Sequence, residues 1–116
     1  MRYMLLIYTD PQAAPTNGTP ERDAEIPKWI AVTEEMQAAG VLLGGDPLEG
    51  GETATTVRVR GGEQLTTDGP FAETKELLGG YYMIDVADLD QALAWARKMP
   101  NLGYGSVEVR PIRDFP

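Results

Sequence analysis

The chain contains no cysteine, which excludes disulfides, thiolate nucleophiles and zinc–thiolate sites. It contains no histidine either. The commonest general base near neutral pH and the commonest transition-metal ligand are therefore missing, and carboxylates, lysine, tyrosine and hydroxyls are left for any chemistry. No apolar run approaches the ~20 residues needed to span a bilayer. The apolar opening, Met1 to Tyr8, meets Asp10-Pro11 where a secretory leader would present small residues, so it is read as a strand and the protein as cytoplasmic. Basic residues are few, 10 against 18 acidic for a formal charge of −8, and they form no cluster. That balance disfavours nucleic acid and membranes as partners. Asp46, Glu49 and Glu52 lack the spacing of a calcium loop, and no Walker-type or dinucleotide fingerprint is present, so neither a metal nor an organic cofactor is expected.

What is present is enough for one core. A chain of 116 residues supports a single domain, 1–116. Tyr3 to Tyr8 and Leu77 to Val86 are apolar runs that suit central strands, with Gly79-Gly80 allowing a bulge in the second. Between them, Trp29, Ile30, Thr33, Met36 and Ala39 recur at helical spacing and Gly40 suits a left-handed cap. Thr19-Pro20-Glu21 is a candidate start, but Pro27 inside the helix predicts a break near Ile26. Val41 to Leu43 reads as a short strand ended by Gly44-Gly45. Thr55 to Arg60 and Glu63 to Thr67 flank Gly61-Gly62 as a hairpin, and because neither of its faces is cleanly apolar it is placed at a sheet edge. Asp88 and Gln91 make a capping-box pattern ahead of the stripe Leu89, Ala92, Leu93, Ala96 and Met99. Ser106 to Ile112 is the last strand, with Val107 and Val109 on one face and Ser106, Glu108 and Arg110 on the other.

The order β-α-β, hairpin, β-α-β predicts an α+β fold of the split βαβ kind, with two helices on one face of an antiparallel sheet. The central strands are apolar on both faces. A second copy of the sheet is the simplest cover for the face without helices, so a homodimer is expected.

The segment Asp68-Gly69-Pro70-Phe71-Ala72-Glu73-Thr74-Lys75-Glu76 reproduces, letter for letter, the motif that names the DGPF group, and on it the chain resembles the YCII-related proteins. Met1 to Tyr8, Leu78-Gly79-Gly80-Tyr81-Tyr82 and Gly105 to Pro111 extend the resemblance over essentially the whole chain. It implies a ferredoxin-like subunit that pairs through its sheet into a dimeric α/β barrel. In some branches it also implies an acid–base pair made by a histidine early in the first helix and an aspartate. This chain departs from that pattern, since Trp29 falls where the imidazole would be and no other histidine exists. Association with extracytoplasmic-function sigma factors in similar proteins implies a regulatory role and a regulatory protein partner.

The motif has two readings. In the first, Asp68, Gly69 and Pro70 turn the chain, Phe71 anchors the turn in the core, and an ion pair such as Glu73–Lys75 orients a dimer seam. In the second, the loop lines a pocket, with Lys75 or Arg110 orienting an anionic small molecule and Asp68 or Glu73 acting as general base. Trp29 is a core residue or a ligand platform, and Phe71, Glu108 and Arg110 are further ligand-binding candidates, although a cross-strand ion pair explains Glu108 and Arg110 equally well. The leading expectation is a dimeric domain that binds a small molecule or acts in regulation. A cofactor-free enzyme with a carboxylate base and a protein-interaction module are the alternatives.

Overall fold

The computed structural model describes residues 1–116. Its elements follow as β1 (Arg2–Thr9), α1 (Pro20–Ala38), β2 (Leu42–Pro47), β3 (Thr55–Arg60), β4 (Glu63–Asp68), β5 (Leu77–Asp85), α2 (Leu89–Ala96) and β6 (Gly105–Pro111). Short 3-10 turns at Gly51–Thr53 and Pro100–Gly103 precede β3 and β6. Four strands make one antiparallel sheet in the order β2-β5-β1-β6, which is the expected split βαβ arrangement.

Register decides which side chains share a face. Tyr3, Leu5 and Ile7 of β1 lie opposite Ile84, Tyr82 and Gly80 of β5 and opposite Pro111, Val109 and Val107 of β6. Because side chains alternate along a strand, this set faces one way, and both helices cover it. The core forms there from Tyr3, Leu5, Ile7 and Ile84 of the sheet, Val32 and Met36 of α1, and Ala92 and Ala96 of α2. The opposite face carries Met4, Leu6, Tyr81 and Met83 only half-buried, together with Ser106, Glu108 and Arg110. No element covers it, and the molecule is a slab only 18 Å thick. Its radius of gyration of 16.1 Å exceeds the ~13 Å of a compact chain of about 100 residues.

The expectation of a broken first helix is corrected. α1 runs unbroken through Pro27. Thr19 caps it, its hydroxyl accepting from the Arg22 N–H at 3.3 Å, and Pro20 follows where a missing N–H costs nothing. At Pro27 the helix loses the bond to the Asp23 carbonyl, a local cost that packing of Trp29, Val32 and Met36 on the sheet outweighs. Pro27→Ala restores that bond and is expected to raise stability by about 1–2 kcal/mol after the entropy gained by the unfolded chain is subtracted. A urea midpoint that rises at constant slope would bear this out, whereas a lower midpoint would mean that α1 depends on the proline.

Three further expectations need revision. The hairpin β3–β4 turns through Gly61 and Gly62, both at positive φ (59° and 81°), with Arg60 opposite Glu63 as expected. It pairs only with itself, however, and does not extend the main sheet edge. Val57 and Val59 share one face, Leu65 lies on the other, and all three stay exposed, so the arm buries neither face against the main sheet. β2 does not stop at Gly44 but continues to Pro47 after a bulge, since β5 offers backbone partners along that length. On the helices, Ile30, Ala39 and Leu89 stay exposed, and the buried side of α1 runs instead through Glu25, Val32 and Met36.

Asp88 caps α2 as predicted, accepting from the Gln91 N–H at 3.0 Å, while the Gln91 side chain accepts from the Ala87 N–H. No helix is long and apolar enough to cross a membrane.

Candidate functional site

The sheet and α1 do not meet along their whole length. Toward the N-terminal half of α1 they part around an open cavity of about 830 Å³, bordered by the loop after β1 and the turn after β2. Arg22, Ile26, Trp29 and Thr33 recur every three or four residues, so one side of α1 faces the space. The sheet supplies Ile7, Gly80 and Tyr82, which the register places on the helix-covered face. Leu48, Leu77 and Leu78 add apolar wall near the mouth.

Two hydrogen-bonded groups mark the polar parts of the wall. Thr33 Oγ1 lies 2.8 Å from the Trp29 carbonyl oxygen and 2.7 Å from Tyr82 Oη. A threonine hydroxyl has one proton, which serves the Trp29 carbonyl or the Tyr82 oxygen but not both, and either hydroxyl can be the donor in the second bond. Across the cavity, Tyr104 donates to Glu25 Oε1, and Arg22 Nη1 donates to Glu25 Oε2 at 2.9 Å. Glu25 is buried, 6% exposed, behind these two partners. Burial first, then the bond to Glu25 and its charge, push the Tyr104 phenol far above its ordinary pKa, with Arg22 opposing weakly, so it keeps its proton.

Tyr104 is held in place from behind. Its N–H donates to the Asn101 carbonyl at 3.0 Å, and its carbonyl accepts from the Asp10 N–H at 3.1 Å. Buried Asp10 turns the loop after β1 by accepting from the Gln12 N–H at 3.0 Å, and Lys75 Nζ lies 3.7 Å from its other oxygen. Lys75 is itself 85% exposed, so that pair is worth little by itself. On the open sheet face, Tyr81 donates to Asp46 Oδ2 at 3.0 Å, a bond that raises the Tyr81 pKa. Nowhere do three or more carboxylates converge as a metal site would require.

Among the residues singled out from the sequence, Trp29 lines the cavity. Asp68 ends β4 on the outside of the hairpin, and Glu73 is exposed in the following loop. Phe71 does not anchor that loop in the core; it is 75% exposed, with the Arg58 guanidinium 5.9 Å from its ring. The turn instead holds through backbone, Gly69 N–H donating to Ala54 O and Thr56 Oγ1 donating to Gly69 O. Lys75 pairs with Asp10 in place of Glu73. Glu108 and Arg110 pair with each other on the open sheet face, where Ser106 Oγ also donates to Glu76 at 2.7 Å. The structure therefore does not bring these six residues to the cavity.

Sequence reasoning passed over Arg22, Glu25 and Tyr104. One signal was available: positions 25, 29, 32 and 36 form a helical stripe in which a glutamate takes an apolar place, and a carboxylate there needs partners.

Comparison with known proteins agrees with this architecture. An uncharacterized protein of Rhizobium meliloti (strain 1021) is 40% identical over 114 residues, covering 97% of this chain and 92% of the relative. Among solved structures, the 5-chloro-2-hydroxyhydroquinone dehydrochlorinase of Burkholderia phenoliruptrix AC1100, in complex with 2,5-dihydroxybenzoquinone, has a similar fold, with a TM-score of 0.54 over 97% of this chain and 94% of that one. Identity there is 13%, so the likeness is one of fold. The model of the YCII-related domain matches residues 1–116, from the first residue to the last, and the chain belongs to that family.

Proposed function

We propose that the protein is a homodimeric small-molecule-binding domain whose ligand sits between α1 and the sheet. The observation that carries this reading is the cavity of about 830 Å³, which is mainly apolar but holds fixed polar groups at Arg22, Tyr82 and Tyr104. That combination suits a ligand with an apolar body and a few polar substituents. Pairing is supported by the open sheet face, where Met4, Leu6 and Met83 lie side by side without cover, and a second copy of the same face, joined as a dimeric barrel, buries it with the fewest new elements.

A second reading has one observation in its favour. The buried Glu25 carboxylate holds the Tyr104 proton beside the cavity, an arrangement from which a cofactor-free enzyme moves protons. The dehydrochlorinase of similar fold makes its quinone ligand a sensible first probe for this reading.

Native mass spectrometry of freshly purified protein tests both parts of the main reading. A dimer is expected, dissociated by Leu6→Asp, and any retained small mass should be lost in Trp29→Ala while the dimer persists. A wild-type monomer would remove the pairing. A Trp95→Phe background leaves Trp29 as the sole indole; if no member of a fragment library changes its emission, the binding reading fails.

A further inference from the structure

We propose that the β3–β4 hairpin is a dimerisation arm whose Val57–Val59 face docks on a second copy of this chain; this rests on the chain pairing through its open sheet face. The hairpin does not account for its own stability. Its two strands of six residues pair only with each other, and an isolated two-stranded hairpin is marginal at best in water. Nor does the body cover it. The molecule is 18 Å thick, which holds one sheet and one layer of helices but no third layer ~10 Å beyond. The arm therefore extends outward in the plane of the slab, whose other dimensions are 48 and 47 Å. Its root is fixed by the bonds from Gly69 N–H to Ala54 O and from Thr56 Oγ1 to Gly69 O.

Register gives the arm two unlike faces. Arg58, Arg60, Glu63 and Leu65 share one, with the Phe71 ring beside the Arg58 guanidinium. Thr55, Val57, Val59, Gln64, Thr66 and Asp68 share the other, and its only charge, Asp68, sits at the root. Val57 and Val59 are neighbours there, 65% and 55% exposed. This second face gains from being covered and strands no charge in doing so. A second copy is the occupant because the sheet alone is too small to hold one. Four strands of six to nine residues present a flat footprint of roughly 450 Å², against ~800 Å² per partner in a standard interface. Under twofold symmetry each protomer gives one arm and receives one, and each arm footprint adds roughly 200 Å². The arm is continuous with the open face, since β2 leads into it and β5 follows it. Leu48 to Glu52, between β2 and β3, also line the cavity, so the arm and the ligand site share a wall.

Amide hydrogen exchange of the full-length wild type, followed by mass spectrometry across a dilution series, reads the arm without altering it. Protection of residues 55–60 and 63–68 is expected to fall in step with the fraction of dimer. Val57→Thr with Val59→Thr keeps β-branched strand formers and should weaken the dimer at least about tenfold. Arg60→Ser with Glu63→Ser, on the other face, should leave dimer affinity within about twofold. A dimer whose arm exchanges freely, or an arm equally protected in the monomer, overturns the inference and leaves pairing through the sheet standing. An unchanged dimer constant in the threonine variant does the same. A wild-type monomer at every concentration removes both.

Discussion

Glu25→Ala is expected to destabilise the folded chain by about 3 kcal/mol, the usual cost of removing one partner from a buried, hydrogen-bonded charge pair. Arg22 and Tyr104 both donate to this carboxylate, and both would be stranded at the cavity wall. Glu25→Gln keeps the shape and the acceptor but loses the charge, so it should lie between alanine and wild type in a denaturant titration. A loss below about 0.5 kcal/mol in Glu25→Ala would place the pair among surface contacts and remove the argument that it organises the site.

The same contact makes stability depend on alkaline pH. The folded state holds the Tyr104 proton more tightly than the unfolded chain, whose phenol ionises near the ordinary value of 10.0. Between those two pKa values the native state binds more protons than the unfolded one, so stability falls as pH rises. The contribution is therefore complete below about pH 10 and is lost at higher pH as the folded phenol ionises. Tyr104→Phe should be less stable at neutral pH yet decline less steeply above pH 10. In an ultraviolet titration of the five tyrosines, Tyr104 should ionise last, and Glu25→Ala should bring that step to lower pH. Identical titrations of wild type and Glu25→Ala would contradict the link.

Gly105→Ala should be comparably damaging, about 3 kcal/mol or more, for a steric reason. A Cβ built there would sit 2.1 Å from the Tyr8 carbonyl oxygen and 3.1 Å from Asn101 Nδ2. The nearest obstruction is backbone, and Asn101 is pinned by donating to the Tyr8 carbonyl at 2.9 Å and the Ser106 carbonyl at 3.2 Å. The strand pairing Thr9–Gly105 and Tyr8–Ser106 would have to open, carrying Tyr104 with it. Gly103→Ala is the control: nothing lies within 4 Å of its Cβ position, and a change within about 0.5 kcal/mol is expected. Equal stability of the two variants would mean that β6 can move away from β1 without cost.

Elements whose signals are local could be read directly. Asp88 with Gln91, the left-handed Gly40 and the Gly61-Gly62 turn are each specified within a few residues, and each is found as expected. The alternation of Val107 and Val109 against Ser106, Glu108 and Arg110 placed β6 with the correct face inward. Local signals failed where a distant partner overruled them. Pro27 argued for a break that packing of α1 on the sheet prevents, and Gly44 argued for an end that pairing with β5 carries past.

The candidate site was far less legible, because its parts are separated in the chain. Glu25 and Tyr104 are 79 residues apart, and Thr33 and Tyr82 are 49 apart. Neither pair shares a motif, whereas Asp68 to Glu76 is contiguous and drew attention away from them. Composition and pattern were sufficient for the absence of imidazole and thiol chemistry, the order of strands and helices, and the apolar character of both sheet faces, since all of these follow from residue type and short-range spacing. Which phenol gives its proton to which acceptor, that a glutamate replaces an apolar residue on the buried side of α1, and that the hairpin stands apart from the sheet follow from register and packing, where groups far apart in the chain compete for the same space and the same hydrogen bonds.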